Sequence, residues 1–125
     1  MKAEQELLAT YREWNRIARA EARAIRTQNW NLLADCQLAV KDFQSLTVRL
    51  TAEARREWEQ AGVDCAEKNR NIQVFINDLI EITRQNQTML RQAKEAASLQ
   101  LEQIGEAGRN LKLLHRSYGN VGVAA

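Results

Sequence analysis

The chain has 125 residues, 45% of them apolar and 27% charged, and its 18 basic and 16 acidic side chains leave a net charge of +2. The length suits one domain and the apolar share excludes a disordered chain, while charges this close to balance imply neither a nucleic-acid nor a membrane partner. Proline is absent and all five glycines fall at Gly62 or later, so nothing in the first half forces the backbone out of a helix.

Apolar residues in the first segment recur at Leu7, Tyr11, Trp14, Ala18, Ala22 and Ile25, in steps of three and four that hold one helical face. They predict a first helix over about 2–26. The pattern loses phase at Thr27-Gln28-Asn29, where Thr27 or Asn29 offers a short polar side chain to cap the next run. That run is Trp30, Leu33, Cys36 or Gln37, Val40, Phe43, Leu46 or Thr47, Leu50, Ala54 and Trp58, a second helix over about 30–59. Gly62 is placed to close it as a left-handed cap, and Asp64 to open the third, so the chain turns back here.

From Ile72 a near-heptad seam runs through Ile76, Leu79, Thr83, Asn86, Leu90, Ala93, Ala97, Leu101 (or Gln100), Ile104, Gly108 (or Ala107), Leu111, Leu114 and Tyr118. A third helix is predicted over about 64–117. It ends where Tyr118-Gly119-Asn120-Val121-Gly122 breaks the pattern, with Arg109, Lys112 and Arg116 near the negative end of its dipole and a short tail over 118–125. At about 1.5 Å per residue it reaches roughly 80 Å, too long for a compact three-helix globule.

The fold class is therefore all-α, in one of two forms. The first two helices lie end to end along the third as an elongated antiparallel hairpin, or they fold into a three-helix bundle with a long C-terminal helix. The bundle would leave Ile104, Leu111 and Leu114 exposed with Leu99 and Leu113, and a stripe of that size on a soluble chain marks a partner surface. The seam from Ile72 to Ala97 reads as internal packing.

Chemistry is sparse. The single histidine, His115, sits in a charged last turn without a matched acid or nucleophile, so no enzyme, cofactor or metal is expected. Asp78 and Glu81 share helical spacing and read as a solvated face. Cys36 and Cys65 form no CxxC and read as reduced thiols in or near packed faces. Acidic residues precede any apolar run at the N-terminus and no stretch is long and apolar enough to span a bilayer, which points to the cytoplasm.

Arg12, Arg16, Arg19, Arg23 and Arg26 form a stripe that could track phosphates or an acidic partner, but Glu13 and Glu21 flank it and no aromatic interleaves it. It reads as a solvated, partly ion-paired face. Trp14, Trp30 and Trp58 coincide with apolar positions and read as packing residues, and Asn86 on the seam reads as a register-fixing amide.

The segment Arg84-Gln85-Asn86-Gln87-Thr88-Met89-Leu90, followed about thirty residues later by Tyr118-Gly119-Asn120-Val121-Gly122, resembles the asparagine-leucine stretch and terminal Tyr-Gly-x-x-Gly element of FlgN-type flagellar export chaperones. The N-terminal half is similar too, with Glu21 and Ala24-Ile25 before a polar break, then Trp30, Lys41 and spaced leucines. The resemblance implies a cytosolic chaperone that uses no nucleotide and holds the C-terminal helical segment of hook-associated proteins before type III export. By the same resemblance Leu101, Ile104, Leu111 and Leu114 would meet substrate, and Tyr118 the export gate. A self-associating coiled coil, a homo-oligomer whose seam is satisfied by a second copy, is the other expectation.

Overall fold

Three helices, α1 (Lys2–Arg26), α2 (Trp30–Ala61) and α3 (Cys65–Ala124), make up the fold in a computed structural model that describes the backbone of residues 2–124 and the side chains of 2–118. The chain is all-α, and no strand occurs among the described residues.

Both turns are closed by backbone bonds that satisfy orphan helix carbonyls. At the first, the Gln28 amide donates to the Ile25 carbonyl at 3.2 Å and the Asn29 amide to that of Ala24 at 2.8 Å. This geometry requires a left-handed residue, and Gln28 supplies it at φ 57°. Asn29, of the two capping candidates, starts α2 by accepting the Leu32 amide at 3.2 Å, while the Thr27 hydroxyl donates back to the Arg23 carbonyl at 2.8 Å. At the second turn Gly62 is left-handed at φ 67°. Its amide donates to the Glu59 carbonyl at 3.2 Å and the Val63 amide to that of Trp58 at 3.0 Å. Asp64 then caps α3 through the Ala66 amide at 2.9 Å, as its position predicts.

The chain forms two units, residues 1–90 and 91–125. In the first, α1 and α2 lie side by side and antiparallel, not end to end. The Ala3 amide reaches both Glu57 carboxylate oxygens at 3.2 Å, while Ile25 packs with Leu33 in a separate cluster. The adjoining part of α3 runs parallel to α1, since Glu4 meets Lys68, Asn15 meets Asp78 and Ala18 meets Asn86. The result is an up-down-up three-helix bundle, and the collinear hairpin is excluded.

The main core joins Leu7, Tyr11 and Ala18 of α1 to Leu50, Ala54 and Trp58 of α2 and Ile72 and Leu79 of α3. Trp58, Leu7 and Leu50 are its largest fully buried side chains. Near-parallel rings stitch the three helices together: Tyr11 lies 6.4 Å from both Trp14 and Phe75, and Trp14 lies 6.3 Å from Phe43. Thr10 and Thr47 are tolerated in this core because their hydroxyls donate to carbonyls of their own helices, those of Glu6 and Gln44.

Three expectations are corrected. Trp30 does not pack in the core: as the first residue of α2 it stays 46% exposed. Internal packing of the seam does not reach Ala97, which is exposed. The expected tail over 118–125 is not a tail as far as Ala124, because α3 continues through Tyr118 and Gly119. Glycine weakens a helix but keeps its amide, and no proline is present to block the ladder.

A polar cluster closes the end of the bundle. Lys68 Nζ donates to Glu4 Oε1 at 2.8 Å and Trp58 Nε1 to Glu4 Oε2 at 3.4 Å. The Lys68 hydrogen bond holds the Glu4 carboxyl below its ordinary value against the opposing effect of burial, and the Trp58 bond adds to it. A carboxyl lowered on folding stabilises above its unfolded value near 4.5 and loses that contribution as pH falls through the folded value. Glu4→Gln is therefore expected to cost about 1–2 kcal/mol at neutral pH and to flatten the loss of stability as pH falls below the unfolded value near 4.5, read by urea unfolding over a pH series. Gln28→Gly, which relieves a side chain in the left-handed region, is expected to raise stability by about 0.5–1 kcal/mol in the same assay.

Candidate functional site

A heptad repeat sets which α3 side chains share a face. From Ile72, alternating steps of four and three pass through Ile76, Leu79, Thr83, Asn86 and Leu90 to Ala93, Ala97, Gln100, Ile104, Ala107, Leu111, Leu114 and Tyr118. Up to Leu90 this line is mostly covered: Ile72, Leu79 and Asn86 are buried and Ile76 and Leu90 half-buried, with Thr83 the exposed exception. Met89 and Leu90 pack on Ala24, Ile25 and Leu33.

Asn86 fixes the pairing of α1 with α3. Its Nδ2 donates to the Ala18 carbonyl at 2.8 Å, the register role expected of a seam amide. The remaining acceptor, Oδ1, is buried with no donor, a situation that costs on the order of 1–3 kcal/mol.

In the second unit Ala93 is half-buried, and from Ala97 on the same line is bare. Ile104 is 67% exposed, Leu111 65%, Leu114 52% and Tyr118 73%, and Leu101 at the margin of the face is 69% exposed. All five residues singled out for partner binding thus stand open on one segment. Glu95, Glu102, Arg109 and Arg116, seven residues apart, take the opposite side of the helix, so the segment is amphipathic. Leu99 and Leu113 are also exposed but lie off the seam. An exposed apolar face of this length has one chemical capacity, the burial of a matching apolar surface.

The other candidates sort differently. Trp58 is buried and Trp14 half-buried, so two of the three tryptophans pack as expected. Asp78 accepts the Asn15 amide at 2.7 Å and Glu81 the Gln85 amide at 3.3 Å. Cys36 is buried and Cys65 half-buried, both free. Burial first, then Glu21 and Asp35, push the Cys36 thiol up, which keeps it protonated and unreactive at neutral pH. All five arginines of the α1 stripe are exposed, with Arg16 paired to Glu13 and Arg19 bonded to Asn15. Arg84 of α3 joins this basic surface, which no sequence signal could reveal because its proximity is created by helix packing.

No family model, curated protein or solved structure matches the chain.

Because Leu111 and Leu114 are open, Leu111→Asp with Leu114→Asp is expected to leave the unfolding midpoint nearly unchanged, within about 0.5 kcal/mol per site. Loss of several kcal/mol would mean that these side chains are packed in the folded chain.

Proposed function

We propose that this chain is a cytosolic flagellar type III export chaperone of the FlgN type, which binds the C-terminal helical segment of hook-associated proteins and keeps them unassembled. It acts by binding and not by catalysis, with no cofactor. The observation that carries the reading is the exposed face from Leu101 to Tyr118, which agrees with the position where the resemblance puts the substrate contacts.

The physics suits the task. A subunit with apolar helices polymerises prematurely unless those helices are covered, and an amphipathic helix can cover them in a helix-to-helix mode. Burying each large apolar anchor contributes about 1.5–3 kcal/mol, so Leu101, Ile104, Leu111 and Leu114 together can exceed the roughly 2–5 kcal/mol cost of ordering a flexible tail. Tyr118 lies at the far end of the face, with its phenol free for the export gate.

Self-association is the second reading, and one feature favours it. If a second copy lay antiparallel on the bare seam, Tyr118 would face Ala93, Leu114 would face Ala97, Leu111 would face Gln100 and Ile104 would face Ala107. Each layer would then set a large side chain against a smaller one. Light scattering separates the readings, since a mass independent of concentration at the monomer value removes the second.

Co-expression with hook-associated flagellar proteins is expected to yield a one-to-one complex that disappears with Leu111→Asp plus Leu114→Asp. If none of them co-purifies with the unaltered chain, the chaperone reading fails. Tyr118→Ala is expected to retain the complex while export of the substrate falls, and equal loss of both would show that Tyr118 serves only the substrate contact.

A further inference from the structure

A second surface lies within residues 1–90 and is independent of the face just described. Arg19, Arg23 and Arg26 recur at helical spacing on α1 and, with Arg84 of α3, line an open cleft of about 900 Å³. Ala22, Ile82 and Met89 give the cleft an apolar component. Among the described residues no ion pair joins Arg23, Arg26 or Arg84 to a carboxylate. The two acids in the cleft, Asp78 and Glu81, instead accept amides from Asn15 and Gln85.

Asn86 belongs to the same wall. It is only 5% exposed, with its Nδ2 committed to the Ala18 carbonyl and its Oδ1 shielded from solvent, so it shapes the wall without offering the cleft a ligand. Unpaired guanidinium groups and apolar side chains thus meet in one cleft. Each guanidinium presents a planar fork of donors suited to a carboxylate.

We infer that this cleft seats an acidic segment of a partner polypeptide, whose carboxylates engage Arg23, Arg26 and Arg84 while its apolar side chains meet Ala22, Ile82 and Met89. A polypeptide carries both kinds of group. A phosphate chain has no apolar side chain to set against Ala22, Ile82 and Met89, and finds no aromatic among the lining residues on which to stack a base. A lone phosphate is too small, because Arg19 to Arg26 extends about 10 Å along the helix.

The probe is a fluorescein-labelled dodecapeptide of glutamate and alanine, titrated with the full chain and followed by anisotropy. Saturable binding that weakens with salt is expected, together with a shift of the Asn86 side-chain amide resonance. Arg23→Gln with Arg84→Gln should lower affinity about tenfold, whereas Arg55→Gln with Arg56→Gln, an equal loss of charge on exposed positions of α2, should change it less than about twofold. Circular dichroism confirms that both double variants remain helical. The proposal is overturned by no saturation at about 1 mM chain, by equal losses in the two double variants, or by tighter binding of a dodecameric oligothymidylate.

Discussion

The reversal at Thr27-Gln28-Asn29 is the constraint on which the rest of the fold depends. With Gln28 in the left-handed region, α1 turns back beside α2, and both apolar faces converge on the α3 residues up to Leu90. An extended connection would have set the two helices in line along α3, the arrangement that equal summed lengths permit. One left-handed residue therefore selects the side-by-side geometry. A glutamine there carries a steric cost that a glycine would avoid, and the paired amides of Gln28 and Asn29 help to hold it.

Polar contacts then set the register of a bundle whose apolar residues alone are permissive. Aliphatic seams can slide by a turn at modest cost, but the fork from Ala3 to Glu57, the Glu4 bonds with Lys68 and Trp58 and the Asn86 bond to Ala18 each form in one register. The first two lie at the start of α1 and the third at Ala18, well along it. The aromatic contacts of Tyr11, Trp14, Phe43 and Phe75 fill the space between them.

The chain is left with two surfaces of different chemistry. The face from Leu101 to Tyr118 is apolar and favours a helix that buries its own apolar side, a non-directional attraction with selectivity set by shape. The cleft beside Arg23 and Arg84 is basic and directional.

Helix number, the placement of both turns and the amphipathic seam were legible in the sequence, because they follow from steps of three and four, from Gly62 and Asp64 and from the absence of proline. The exposure of Leu101, Ile104, Leu111, Leu114 and Tyr118 was legible only as a consequence of one of two arrangements. Periodicity defines a face but not what covers it. Trp30 shows the same limit, since it falls in phase with the core and yet stays exposed at the first position of α2. The left-handed Gln28 carried no glycine to announce it. The approach of Arg84 to the α1 stripe and the orphaned acceptor of Asn86 exist only once α1 and α3 are in register. Local spacing along one helix determined the elements. Only the packing of helices distant in sequence decided which faces were closed and which stayed open.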